Sequence, residues 1–299
     1  MAYHKPVLLD ESIEGLCIKP GGVYVDLTFG GGGHSREVLK KLGRKGKLIG
    51  FDQDPDTEAN VPDDKRFSLV QANFRFLRNF LRYMEVEKVN GILVDLGISS
   101  HQIDRPERGF SFRSSDNLDM RMNTRSGLTA EQLLEEYTQN DLQRVFRQYG
   151  ELKNAGRLAS LIVKAREGDP LNSPDRLEQA LGPVIPKQHP SKFLAKVYQA
   201  IRIEVNKELE ALREMLPQTI ACMEPGGRLV IISYHSIEDR MVKNFLRSGN
   251  LEGDIKKDFY GNIETPWKLI HKGVITPGEE ELLLNNRSRS AKLRIAERI

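Results

Sequence analysis

The sequence predicts an α/β fold: a mostly parallel, doubly wound sheet into which a mainly helical unit is inserted. Three observations carry this expectation. Short β-branched runs alternate with amphipathic helical stretches from residue 23 to residue 97. The alternation then stops, and a long helical region separates it from one further strong strand, GGRLVIISYHS at 226–236. Four consecutive glycines, Gly30–Gly33, close the first strand, at the edge where open parallel sheets take their ligands.

VYVDLT (23–28) is β-branched and ends at the glycines. HSREVLKKLG (34–43) places Val38, Leu39 and Leu42 on one helical face and stops at Gly43. KLIGFDQD (47–54) and RFSLVQ (66–71) read as the second and third strands, FRFLRNFLRYM (74–84) as an amphipathic helix and VNGILVDLG (89–97) as the fourth strand. From about Ser99 to Asn123 the composition is that of a loop. Helical periods follow from Thr129 to Arg202, broken at GDPLNSP (168–174) and GPVIPKQHP (182–190), and the periods of 191–223 lead back to the sheet. WKLIHKG (267–273) and KLRIAER (292–298) supply a final antiparallel pair.

Composition narrows the function classes. The 299 residues suffice for one large or two ordinary domains, and 39% hydrophobic residues suffice for a sizeable core. A net charge of +3 is not that of a polycation, so contact with nucleic acid requires a local basic face. Cys17 and Cys222 are isolated and the histidines show no HExxH spacing, which predicts a reducing, cytoplasmic setting without a metal site. MAYHKPVLLDE lacks an apolar h-region and no segment approaches the ~18 apolar residues of a membrane span, so no membrane partner is expected.

Two ligand classes suit a glycine turn after the first strand: a dinucleotide and S-adenosylmethionine. A dinucleotide fingerprint needs a third glycine three places after the second. Counting from Gly30 that place holds Ser35, and from Gly31 it holds Arg36. Asp52, 22 residues beyond Gly30, ends the second strand where a ribose acceptor belongs, though nicotinamide sites ask for nearly the same spacing. Asp95 ends the fourth strand beside the same pocket.

HKPVLLDE (4–11), DLTFGGGGHS (26–35), FDQDP (51–55), VDLGISS (94–100), RGFSFR (108–113), LDMRM (118–122), AIRIEVNKELE (200–210), GGRLVIISYHSIEDR (226–240) and NNRSRSAKLRIAER (285–298) occur in this order. Together they resemble the MraW/RsmH family of S-adenosylmethionine-dependent methyltransferases, which modify the exocyclic N4 amine of a cytosine in bacterial small-subunit ribosomal RNA. The resemblance runs nearly end to end. It implies a class I, Rossmann-like methyltransferase sheet: a discontinuous S-adenosylmethionine-binding domain over 1–102 and 203–299, with a mainly helical RNA-recognition domain over 103–202. It also implies cofactor contacts from Gly32, Gly33, His34, Asp52, Phe74, Asp95 and Gln102. The implied partner is small-subunit ribosomal RNA, within an assembled or nearly assembled subunit whose decoding region the methylation would tune; the oligomeric state is left open, a homodimer included.

The amine of cytosine is a poor nucleophile because its lone pair is delocalised into the ring. An acceptor beside it would localise that pair and take up a proton. Many amino-methyltransferases place an Asn/Asp/Ser-Pro-Pro-aromatic motif after the fourth strand for this task, and this chain has DLGISS there instead. The sequence therefore offers Ser233 and His235 in SYHS, or Asp116 and Asp119 in SSDNLDMRM, as acceptors. For RNA, Phe110 and Phe112 lie between Arg108 and Arg113, a pattern suited to base stacking flanked by phosphate contacts. Arg144, Arg147, Lys153, Arg157, Lys164, Arg166, Lys187, Lys192, Lys196 and Arg202 add positive charge to the insert. A small-molecule methyltransferase, a nicotinamide-dependent oxidoreductase and a non-catalytic RNA-binding module are the competing readings.

Overall fold

The computed structural model describes residues 6–112 and 117–299. The chain forms two compact units: a sheet unit, Met1–Gly97 with Leu209–Ile299, and a helical unit, Ile98–Glu208. In the sheet unit, α1 (Leu9–Gly15) precedes β1 (Val23–Asp26), α2 (Gly33–Lys41), β2 (Lys47–Asp52), β3 (Phe67–Gln71), α3 (Leu77–Tyr83) and β4 (Val89–Asp95). The helical unit carries α4 (Ser100–Asp104), α5 (Ala130–Glu136), α6 (Gln139–Gln148), α7 (Ala155–Arg166), α8 (Pro174–Leu181) and α9 (Pro190–Asn206). The chain returns through α10 (Glu208–Cys222) to β5 (Met223–Ser233), α11 (Ser236–Ser248), β6 (Trp267–Leu269), α12 (Glu279–Leu284) and β7 (Lys292–Arg298).

The strands pair in the order β3-β2-β1-β4-β5-β7-β6, with β1 to β5 parallel and β7 and β6 antiparallel. The chain leaves β1 towards β2 on one side and returns to β4 on the other, so the switch point lies between the carboxyl ends of β1 and β4. Asp26 pairs with Leu93, which sets Asp26 and Asp95 on neighbouring strand ends. Leu48, Ile49, Phe51, Ile92, Leu93 and Val230 are buried, as expected for parallel strands covered on both faces.

Three helices of the sheet unit, α1, α11 and α12, escaped the periodicity reading. The seven residues of α1 are too few for a convincing period. The fifth strand was expected to run to Ser236, yet it stops at Ser233. Glu238 ends it there: its Oε2 accepts the backbone N–H groups of Tyr234 at 3.0 Å and His235 at 3.4 Å, which starts α11 with a capping box.

In the helical unit, Thr129 and Thr138 cap α5 and α6 with reciprocal capping boxes. A capping box at Ser99 likewise turns the first residues of the expected 99–123 loop into α4. The units part at 97/98 and 208/209, where the sequence reading had set 102/103 and 202/203. The reason lies in α9, which continues unbroken to Asn206 and there binds its own unit: the Asn206 amide donates to Met120 O at 2.7 Å and accepts from Met122 N–H at 2.7 Å.

Glu204 organises the centre of this unit. It is 2% exposed and accepts from Tyr137 Oη at 2.8 Å, Arg144 Nη2 at 3.0 Å and Lys207 Nζ at 2.9 Å. Burial pushes its carboxyl up, but the three donors outweigh burial and hold it below the usual range. Glu204→Ala should cost about 2 kcal/mol of stability, because three donors lose their shared acceptor in a partly buried setting. Thermal unfolding followed by circular dichroism measures this, and an unchanged midpoint would remove Glu204 from the unit's framework.

Candidate active site

The glycine turn joins β1 to α2, with Gly30 at φ 50° and Gly32 at φ 73°. Both angles fall in the left-handed region that glycine enters without a steric penalty. The turn is held from several sides. Gly30 N–H donates to Asp52 Oδ2 at 2.8 Å, Asn60 Nδ2 donates to Gly30 O at 3.0 Å, and Arg36 Nη1 donates to Gly31 O at 2.6 Å. A Cβ at Gly33 would stand 2.2 Å from Pro6 Cγ, and one at Gly32 would stand 2.9 Å from the Phe29 ring. Part of the demand for glycine thus comes from the protein's own packing against the turn.

Three carboxylates gather beside it. Asp26 is 1% exposed, accepts from Ser35 Oγ at 2.7 Å and Thr28 N–H at 3.1 Å, and is pushed up to about 6 by burial. Asp52 also accepts Asp54 N–H at 2.9 Å, and desolvation raises it to about 6. Asp95 is raised to about 7, first by desolvation and further by the negative charges of Asp26, Glu238 and Glu281, while the Tyr234 hydroxyl pulls it down. Its Oδ1 accepts from Tyr234 Oη at 2.8 Å, and its backbone N–H donates to Thr28 Oγ1 at 2.7 Å.

His34 completes the cluster from the first turn of α2. Desolvation lowers it to about 4, so its ring is neutral at pH 7. Its Nε2 lies 3.2 Å from the Val7 carbonyl, an acceptor only, so Nε2 carries the proton and Nδ1 is bare. That bare Nδ1 stands 4.0 Å from Asp95 Oδ2. Two acceptors therefore face one another at a distance that a single N–H-bearing cation can bridge.

The other residues singled out by sequence are placed as follows. Phe74 is half-buried and opens a short 3₁₀ turn capped by Asn73. Ser233 is 1% exposed, and its hydroxyl is directed at Lys292 O, 3.5 Å away, across the β5–β7 ladder. His235 caps α11 through Nδ1, with Nε2 3.1 Å from Glu238 Oε1. Both are fastened into the strand end, and neither is presented as a proton acceptor. Tyr234, the residue between them, is the one that reaches Asp95. Sequence reasoning passed over Tyr234, although SYHS contains it. Asp26 was also missed, and its position on the same motif as the glycines was the available signal. Glu281, which accepts Leu8 N–H at 2.9 Å, carries no local signal at all.

In the helical unit Gln102 is 5% exposed, and its Oε1 accepts Ser99 N–H at 3.0 Å within the α4 capping box. Asp119 is tied to Arg121 at 2.8 Å through both oxygens and accepts the Arg121 N–H at 3.0 Å, the bonding of a turn rather than of an acceptor awaiting substrate. The stacking expectation at RGFSFR needs correction. Arg108 and Phe110 are 6% and 8% exposed, and the guanidinium lies 5.9 Å over the ring. Arg108 Nη2 also donates to the carbonyls of Arg121 and Met122, at 3.0 and 3.1 Å, so this pair belongs to the unit's interior. Phe110→Ala should accordingly cost about 3 kcal/mol of stability rather than weaken RNA binding selectively, as denaturant titration can check. Phe112 is half-buried, edge-on to Tyr198 at 5.7 Å. Arg113 and Asp116 lie outside the described residues.

The insert's expected cations divide into two groups. Arg144 is bound to Glu204, Arg202 to Glu208 at 2.8 and 2.9 Å, and Arg166 to the carbonyls of Leu134 and Tyr137 at 2.7 and 2.8 Å. Arg147, Lys153, Arg157, Lys164, Lys187 and Lys192 are exposed, and Lys196 is half-buried.

A sequence profile described as the MraW methylase family matches residues 1–299. The chain is 56% identical over 298 residues to the "Ribosomal RNA small subunit methyltransferase H" of Parabacteroides distasonis, covering 99% of this chain and 98% of that one. It is 54% identical to the proteins of the same name from Bacteroides thetaiotaomicron and Flavobacterium johnsoniae, with coverage of 98% or more of every chain. With its glycine turn and carboxylates at the sheet's switch point and a match along its whole length, this chain belongs to the MraW methylase family of S-adenosylmethionine-dependent methyltransferases.

Proposed function

We propose that this chain methylates the exocyclic N4 amine of a cytidine in bacterial small-subunit ribosomal RNA, on an assembled or nearly assembled subunit, and so tunes the decoding region. The observation that carries the reading is the facing pair of acceptors, Asp95 Oδ2 and His34 Nδ1, 4.0 Å apart beside the glycine turn. Two bare acceptors beside the glycine turn favour a cationic ligand, and the turn lacks the third glycine of a dinucleotide site. The relatives' names supply the RNA, and the exposed cations of the helical unit suit its phosphates.

S-adenosylmethionine fits these residues and, when bound, supplies the methyl group from its sulfonium. Asp52 would hold the ribose hydroxyls: each of its oxygens has one backbone donor and retains lone-pair capacity. His34 would take the amino group, Gly32 and Gly33 would lie along the methionine portion, and Phe74 would pack on the adenine, which leaves Asp95 for the amine of the cytosine.

Among these residues Asp95 is the group suited to the proton of the amine. It ends β4, where amino-methyltransferases carry their acceptor, and a carboxyl raised to about 7 takes up a proton at neutral pH with little penalty. The Tyr234 hydroxyl orients it and holds its acidity down towards that value. Tyr234→Phe removes the donor, so the Asp95 pKa rises. Only the ionised carboxylate accepts, so the ascending limb of the kcat–pH profile should move to higher pH. A shift of one unit means about a fivefold lower kcat at pH 7, recovered near pH 9. A profile that falls uniformly without moving would assign Tyr234 to packing alone.

The defining experiment offers small subunits from a strain lacking this protein, the corresponding naked RNA, and free cytidine, each with labelled methyl donor. Nucleoside mass spectrometry should find N4-methylcytidine from the particle at a single position. Label in another nucleoside, or only in free cytidine, would overturn the reading.

A further inference from the structure

The sheet unit has a second concave feature, at the β6 edge of the sheet. A pocket of about 410 Å³ lies between α11 and the segment that follows β6. That size falls within the roughly 300–1,000 Å³ typical of small-ligand sites. Leu246, Ile263, Leu269 and Ile295 contribute apolar surface, and Lys243, Arg247, His271 and Lys272 stand around it. All four of these basic residues are exposed. Among the described residues they form no ion pair, whereas Arg294 in the same wall is taken by Asp239 at 2.7 Å.

Ile263 belongs to a hairpin whose tip stands out from the unit. Lys257 bridges Ile263, and Glu264 N–H donates to Lys256 O at 2.9 Å. Asp258 fixes the turn by accepting the N–H groups of Tyr260 and Asn262 at 2.9 and 2.8 Å. The tip residues Phe259 and Tyr260 are 98% and 86% exposed and stand edge-on to each other at 5.6 Å. A turn fixed by Asp258 that holds two large rings in water, with Lys256 and Lys257 on one side of them and Glu264 on the other, does nothing for the unit's own core. It matches the way proteins capture unpaired nucleotides, with ring faces for the bases and cations for the backbone.

We infer that this pocket and the 256–264 hairpin form a second RNA-contact site on the sheet unit, which takes a single-stranded segment of the substrate RNA away from the methylated base. The inference rests on the ribosomal RNA reading above. The charge around the pocket points to the class of partner: Lys243, Arg247 and Lys272, unpaired around an apolar floor, complement a polyanion that carries flat apolar faces, and a protein partner would need a dense acidic patch to match them.

The test uses the full chain. Ultraviolet cross-linking of the wild type to protein-free small-subunit RNA, read by mass spectrometry, should mark peptides spanning 255–273. Lys243→Ala/Arg247→Ala/Lys272→Ala should bind that RNA at least about tenfold more weakly and flatten the plot of log affinity against log salt by about 2, at about 0.7 per single-strand phosphate contact. Phe259→Ala/Tyr260→Ala should weaken binding about tenfold with the salt slope unchanged. All of these side chains are exposed, so S-adenosylhomocysteine affinity and melting temperature should stay at wild-type values. Wild-type RNA binding with cross-links elsewhere and unaffected variants would overturn this site and leave the ribosomal RNA reading intact. Variants defective only on assembled subunits would overturn it in favour of a ribosomal-protein contact. Failure of the wild type to bind any RNA would bring down both.

Discussion

Asp95→Asn should lower kcat by about a thousandfold at pH 7.5 while the folded protein is retained. General bases contribute roughly 10²–10⁴ in rate, and asparagine keeps the shape and the Tyr234 contact but takes up no proton. The variant also separates catalysis from folding, through the sign of its effect on stability. The Asp95 pKa is raised in the folded chain, to about 7 against the ordinary 3.8. A raised carboxyl favours the fold when protonated and loses that contribution as pH rises from its unfolded value through its folded one. At pH 8 the ionised side chain therefore costs stability, and Asp95→Asn should melt at or above the wild-type temperature there. The difference should shrink as pH falls towards 5. Single-turnover methylation and thermal scans at both pH values measure the two arms. A kcat within tenfold of wild type would exclude Asp95 as the proton acceptor and leave it only a binding role.

Asp52→Ala should all but abolish cofactor binding. The carboxylate is assigned two ribose hydroxyls, each worth about 1.5–3 kcal/mol as a hydrogen bond to a charged group, so the loss is on the order of 100-fold to 10,000-fold in affinity. A second cause acts in the same direction. Gly30 N–H, bound to Asp52 Oδ2 at 2.8 Å, loses its partner, and the left-handed turn at Gly30 loses one of its ties. Asp52→Asn separates the two effects, since its carbonyl oxygen can keep the Gly30 contact while the charge is gone; it should fall between alanine and wild type. Titration calorimetry with S-adenosylhomocysteine reads all three, and an alanine variant that binds within threefold of wild type would refute the ribose assignment.

The first prediction draws on the facing acceptors at the switch point, of which the sequence showed the strand-end aspartate but not the bare histidine nitrogen opposite it. Asp52 and Asp95 could be placed at strand ends, because β-branched runs bounded by glycine and aspartate fix where parallel strands stop. The bare nitrogen of His34 could not be placed. It follows from the Val7 carbonyl taking the other ring nitrogen, a contact across 27 residues. Tyr234 escaped for a related reason. Its value lies in reaching an aspartate 139 residues earlier in the chain, while its neighbours Ser233 and His235 carry more familiar chemistry and are spent on a strand ladder and a helix cap.

The insert shows the opposite error. Counting cations and aromatics suggested an RNA surface at RGFSFR, but a count does not distinguish a solvated arginine from one that satisfies buried carbonyls. Arg108 is of the second kind, as are Arg166 and, through Glu204 and Glu208, Arg144 and Arg202. Meanwhile Phe259 and Tyr260, in a segment with no recognised pattern, stand in water.

The sequence by itself determined the strands in their order along the chain, the long helical stretch between β4 and β5, the glycine turn and the carboxylates that end β2 and β4. These are encoded by periodicity, turn chemistry and spacing, which act over a few residues. The tertiary structure alone decided which ionisable groups lose their water, which arginines are already paired, and which strand end presents an acceptor. Desolvation and pairing depend on residues that are distant in the chain and adjacent only after the sheet has formed.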